Sequence, residues 1–286
     1  MPSTVTRQVD RSRITTFLGA LLAFWLVFEL VSLSFGISMI QLAPLYMFTP
    51  LLAGVLTVWR SGIGLGVIGL RIGRVRWLVI AAIAPLGLAL STTAVSLAVP
   101  GIAFSPGVQL LPGVSLPAGV PGLLAGVGIV LALGVSVNAV LAMGEEVGWR
   151  GYLLWELAPL GFWRASAVTG LIWGLWHAPV IVEGYNYPSF PLLGVLVMTL
   201  ATLTFSVLYT YLVVQARSVL AAVFFHGVFN ASAGLVLAYT LTDTAALGQL
   251  VASPVGAASM VVFLLVAAGI AFLDPPELRR DRLFGD

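Results

Sequence analysis

The chain has 286 residues, 60% apolar and only 8% charged, with a mean hydropathy of +1.08. Soluble domains carry about 25% charged residues, so this composition excludes a water-solvated globule and makes lipid the solvent for most of the chain. The net charge is only +2 and there is no cysteine, which removes disulfides, thiolate metal ligands and a cysteine nucleophile from consideration.

An α-helix needs about 20 apolar residues to cross a hydrocarbon layer ~30 Å thick. Eight stretches qualify, near 15–35, 37–59, 77–99, 122–146, 164–182, 191–214, 217–240 and 254–273. The first is too long for a signal-peptide core and lacks a small-residue cleavage site, so it is expected to be retained. After the third comes PGIAFSPGVQLLPGVSLPAGVP (100–121), whose prolines and glycines break helix and strand alike. It reads as a stiff apolar connector, with a lid or re-entrant segment as the alternative.

All 13 basic residues are arginine. Arg7, Arg11 and Arg13 precede the first stretch; Arg60, Arg71, Arg74 and Arg76 separate the second and third. Arg164 and Arg217 open the fifth and seventh, and Arg279, Arg280 and Arg282 follow the eighth. The intervening loops 100–121, 183–190 and 241–253 have none. Arginine concentrates on cytoplasmic loops, so the expected fold is all-α and polytopic, with about eight transmembrane helices and both termini cytoplasmic. Three sections follow: 1–121 with three helices and the outer loop, 122–240 as the core, and 241–286 with the last helix and tail.

The polar residues of the core are few. GEEVGWRGY (144–152) places Glu145, Glu146 and Arg150 in an apolar segment, where each unpartnered ion costs roughly 2.5–3.5 kcal/mol. Glu146 and Arg150 stand four apart, acid first, in the favourable order for a helical pair. Glu145 points about 100° away and finds no partner on its own helix. The turn Ala158-Pro159-Leu160-Gly161 predicts a helical hairpin. Residue 161 is its centre, with Glu145 and His177 both 16 residues away, so the two share a depth on antiparallel helices. The fourth helix then continues past Arg150 to about Glu156. His226 and Asn230, four apart in FFHGVFN (224–230), share a face of the seventh stretch. His226 lies nine residues in, or ~14 Å deep, which puts the group in the cytoplasmic half of the bilayer.

Taken singly, an intramembrane histidine is often a packing residue and an asparagine an interhelical clamp. A lone Glu-Arg pair is often structural. Trp149, Trp173, Trp176, Phe225 and Phe229 read as packing or interface aromatics. The joint placement of both histidines and the acidic pair on three helices at compatible depth is what points to chemistry. No H-E-x-x-H motif, no Gly-x-Ser-Gly element and no aspartate within a stretch is present, which excludes zincin, rhomboid-type serine and aspartyl-dyad peptidases. Two histidines alone support haem poorly. What remains is a carboxylate activating water: a desolvated carboxylate suits a general base near neutral pH. His177 would hold the same water, and His226 and Asn230 would donate to the oxyanion.

EEVGWRG (145–151), WGLWH (173–177) and HGVFN (226–230) resemble the three motifs of the CAAX protease and bacteriocin-processing (Abi) family of intramembrane proteases, which includes type II CAAX prenyl endopeptidases. The resemblance spans roughly 130–235, with Trp173 where phenylalanine is usual. It implies that Glu145 and His177 activate water, that His226 and Asn230 stabilise the oxyanion, and that Glu146 and Arg150 support them. It implies a peptide or membrane-protein substrate, with or without an attached lipid, in the plasma membrane, and no nucleic acid. No cofactor is required in this reading; zinc held by Glu145, His177 and His226 is the alternative. Two other classes stay open: a non-catalytic immunity or scaffold protein that binds a partner in the same cavity, and a proton-coupled carrier using Glu145.

Overall fold

The computed structural model describes residues 8–105, 109–111, 114–117, 119–273 and 276–284. Arg7 and residues 106–108, 112–113 and 118 of the 100–121 loop lie outside them. Helix α1 (Arg11–Phe35) starts where the Asp10 carboxylate accepts from the Ser12 and Arg13 N–H groups, and ends at Gly36 in the left-handed region. Helices α2 (Met39–Tyr46) and α3 (Thr49–Arg60) form one span bent by 42°. Helix α4 (Val75–Ser96) follows.

Strand β1 (Ile102–Phe104) then pairs antiparallel with the much later β4 (Thr240–Thr242), and β2 (Gln109–Leu111) pairs with β3 (Val114–Ser115). The proline- and glycine-rich loop therefore does carry short strands: β2 and β3 pair within it, and β1 finds its partner at the end of the seventh apolar stretch.

Helix α5 (Val120–Gly134) is bent by 48° from the segment Val137–Leu160, which comprises α6 (Val137–Glu146), a π-helical run Val147–Leu153, α7 (Leu154–Leu157) and a final 3-10 turn Ala158–Leu160. The fourth helix, expected over 122–146 and on to about Glu156, is thus bent before Val137 and runs to Leu160. Helix α8 (Phe162–Trp176) returns and stops at His177, where α9 (Ala178–Val182) begins with Pro179 in its first turn. Helices α10 (Pro191–Ala216), α11 (Leu220–Ala238), α12 (Ala257–Leu273) and the short α13 (Arg280–Leu283) complete the chain.

The protein is a polytopic all-α membrane protein. Among the described residues five helices are long and apolar enough to span, or up to seven when each bent pair is one span. Helix α8, at 15 residues, falls short of that length yet also runs between the two ends of the bundle. Its outer surface is apolar: Leu30, Leu33, Leu90, Leu192 and Phe272 are all exposed, as lipid contact requires.

Hydrogen bonds define the two ends. At one, Arg71 Nη1 donates to Phe284 O (2.8 Å), Arg74 N to Ala216 O (2.8 Å), and Arg13 and Arg280 converge on Glu156. At the other lie the β1–β4 pair and the bond from Tyr187 Oη to Val255 O (2.8 Å). The arginines of the tails and of the 71–74 and 217 loops share one end, as their spacing implied.

Within the bundle α10 packs along α8, α11 against α4 and α6, and α3 against the π-helical run. These approaches are close. A Cβ on Gly174 would sit 2.5 Å from Thr199 Cα, and one on Gly148 would sit 2.5 Å from Pro50 Cβ. Glycine permits both contacts by presenting bare backbone.

Candidate active site

Glu145 and Glu146 are the last two residues of α6 and both are buried. The π-helical run that follows them is buried throughout. Such wide turns recur at functional sites because they redirect side chains within a continuous helix. Here the run holds Arg150 so that Nη1 reaches both Glu146 oxygens at 3.1 Å.

That pair does not stand alone. The guanidinium of Arg150 lies between two aromatic faces, 4.2 Å from the Trp173 ring and 4.5 Å from that of Tyr209. Arg150 Nε and Nη2 have no hydrogen-bond acceptor among the described residues, so cation–π contact is what receives that side of the ion. The opposite face of the network is His226, whose Nδ1 lies 2.8 Å from Glu146 Oε1. Glu146 therefore links the two motifs that carry it and His226.

Glu145 has a partner from another helix: Trp173 Nε1–H donates to its Oε2 at 2.7 Å. Trp173 stands one turn before His177 on α8, and its carbonyl accepts from His177 Nδ1 at 2.8 Å. A backbone carbonyl only accepts, so His177 carries its proton on Nδ1 and leaves Nε2 with a lone pair. The Trp173 ring also lies 5.5 Å from that of His226. One indole thus touches Glu145, Arg150, His177 and His226.

Glu145, His177, His226 and Asn230 line a single cavity of about 100 Å³, ample for several waters. Asn230 is exposed, and its carboxamide has no hydrogen-bond partner among the described residues. The cavity does not keep to the arginine-bearing half. Its lining includes Tyr185, Asn186 and Val255, from the loops at the opposite end. The expected depth is corrected for a simple reason: α8 spans about 22 Å at 1.5 Å per residue before it reaches His177.

Among the described residues no three His, Asp or Glu side chains converge as a metal-ligand set.

Reasoning from residue types alone assigned Trp173 to packing and did not single out Tyr209. Trp173 had a signal, its position four residues before His177 on one helical face. Tyr209 had none, since it comes from an otherwise apolar helix. Trp176, also read as packing, stacks on Tyr46 at 4.6 Å and donates from Nε1 to Thr49 Oγ1 (3.1 Å), closing the cavity wall toward α2 and α3.

Residues 126–232 match a family model described as type II CAAX prenyl endopeptidase Rce1-like. Over 92 residues the chain is 33% identical to CAAX prenyl protease 2 of Methanococcus maripaludis, covering 30% of this chain and 34% of that relative. The chain therefore matches about a third of the relative's length. The 126–232 window contains all four cavity residues together with Glu146 and Arg150.

Proposed function

We propose that this chain, which belongs through its 126–232 core to the CAAX protease and bacteriocin-processing family, is an intramembrane endopeptidase that hydrolyses a peptide bond with a water activated by Glu145 and His177. The observation that carries the reading is the convergence of Glu145, His177, His226 and Asn230 on one small cavity inside an apolar bundle.

In the proposed step the Glu145 carboxylate takes a proton from water, and the water oxygen attacks the scissile carbonyl carbon. Trp173 holds Oε2, leaving Oε1 as the base. His177 Nε2 accepts the second water hydrogen and fixes the water's orientation. The oxyanion accepts from Asn230 Nδ2–H and from His226 Nε2–H. His226 can donate from Nε2 while Nδ1 faces Glu146 only as an imidazolium, which Glu146 compensates. The proton on Glu145 passes to the leaving nitrogen, and the C–N bond breaks to give a carboxylate and an amine. No cofactor takes part.

The proposed substrate is a peptide or a membrane-protein segment reached from the bilayer. The name of the archaeal relative makes a C-terminally lipidated peptide the first to assay. We place the protein in the plasma membrane with both tails cytoplasmic, on the gathering of the arginines at one end.

Purified protein in detergent, assayed with a chelator present throughout, is expected to cleave such peptides. Glu145→Gln, which keeps the shape and the bond from Trp173, should lower kcat by at least about 100-fold. Undiminished cleavage by Glu145→Gln would overturn the mechanism. A cellular phenotype that survives Glu145→Gln would favour the partner-binding scaffold instead.

A further inference from the structure

A second pocket, of about 240 Å³, lies at the arginine-bearing end and is lined by Arg74, Arg217, Arg279, Arg282, Glu277 and Gln215, among others. From these residues we infer that the pocket binds the phosphate of an anionic phospholipid headgroup. The inference is independent of the peptidase reading.

The first argument is charge. Glu277 pairs with Arg282 at 3.0 Å and with Arg279 at 3.6 Å, and Arg279 also meets Asp281 at 3.2 Å. The tail arginines are thus compensated. Arg74 and Arg217 are not: Arg74 Nη1 donates only to Gln215 O (3.2 Å), and Arg217 has no side-chain partner among the described residues. Two unneutralised guanidinium groups beside a polar cavity favour a dianionic or monoanionic oxygen cluster, and the guanidinium fork matches phosphate geometry.

The second argument is construction. The loops bearing the two arginines are fastened together by bonds from Arg74 N to Ala216 O (2.8 Å), Val219 N to Gly69 O (3.1 Å) and Ser218 Oγ to Arg71 O. Arg217 is held at φ 53°, in the left-handed region that a non-glycine residue adopts only at a cost. It caps α10 there through a bond from its N–H to Val213 O. The arginines are therefore on a fixed frame.

The third argument is depth, and it selects a lipid over a soluble anion. Arg74 immediately precedes α4 and Arg217 immediately follows α10, so both stand one residue beyond an apolar span. Just inside them Trp77 and Tyr211 meet edge to face at 5.7 Å. Aromatic residues of this kind sit at headgroup level, and basic pockets between helix ends at that level attract anionic lipids.

The test uses the full-length protein in detergent, with dioctanoyl phosphatidylglycerol as the probe and binding read by native mass spectrometry. Saturable binding that weakens about tenfold in Arg74→Gln and in Arg217→Gln, with dioctanoyl phosphatidylcholine binding more weakly to wild type, is the expected result. Melting curves without lipid identify any variant that fails to fold; Arg74→Lys and Arg217→Lys, which keep the charge and lose the guanidinium fork, then supply the comparison, with weaker binding than wild type expected. Equal phosphatidylglycerol binding by wild type and these variants overturns the inference. Inorganic phosphate that binds with the same arginine dependence, and that the lipid does not displace, also overturns it in favour of a soluble-anion site.

Discussion

Trp173 sits where its indole N–H meets Glu145 and its ring face meets Arg150, and the two roles can be separated by substitution. Phenylalanine keeps a face for the guanidinium and removes the donor. A hydrogen bond to a charged group contributes about 1.5–3 kcal/mol, so Trp173→Phe is expected to lower kcat roughly ten- to hundredfold. KM should be unchanged, because the lost contact is to the base and not to substrate. A loss confined to KM, or full activity, would show that Glu145 needs no such positioning. The six polar positions of the core were visible as residue types, since ions are conspicuous in a chain with 8% charged residues. Their bonds were not visible. Glu146 pairs with Arg150 at sequence separation four but with His226 at separation 80, and only the second depends on how α6 meets α11.

Among the elements, α8 is the one whose placement the site tolerates least. It carries both Trp173 and His177, and Gly170 and Gly174 lie on its face against α10. Gly174→Ala would set a methyl 2.5 Å from Thr199 Cα, and overpacking of this kind typically costs about 1–3 kcal/mol. The expected outcome is a lowered melting temperature in detergent together with reduced activity; a wild-type melting curve would show that α8 and α10 can separate freely. The hairpin through Gly161 was legible from its turn residues, and so was the continuation of the fourth helix to Glu156. The breaks were not. The π-helical run Val147–Leu153 and the 48° bend before Val137 answer to neighbours, with Pro50 against Gly148 and Val228 against Gly134, and such contacts leave no periodicity in the chain.

Across the whole molecule, the two tails meet on one buried carboxylate. Glu156, fully buried at the end of α7, accepts from Asp10 N (2.7 Å), pairs with Arg13 (3.0 Å) and pairs with Arg280. Arg280 also donates from Nε to Trp155 O (3.0 Å) and lies 4.7 Å over the Trp155 ring. Glu156 thereby ties the first helix and the final segment to the helix that bears Glu145. Breaking a buried pair by removing one partner costs roughly 3–5 kcal/mol. Glu156→Gln should therefore lower thermal stability by about that much and expose the tails to limited proteolysis. An unchanged melting curve and an unchanged digestion pattern would mean the tails are held by the buried Leu278 and Leu283 instead.

Composition and arginine spacing by themselves determined a polytopic helical bundle with its loop and tail arginines at one end, because transfer of unpaired charge into lipid is costly. Motif order likewise determined which few residues could carry chemistry. Tertiary structure alone decided that Trp173 holds Glu145, that Arg150 is received by two aromatic rings, and that the cavity reaches the loops opposite the arginines. Those outcomes depend on the distances between helices, and a linear pattern reports only which face each helix offers.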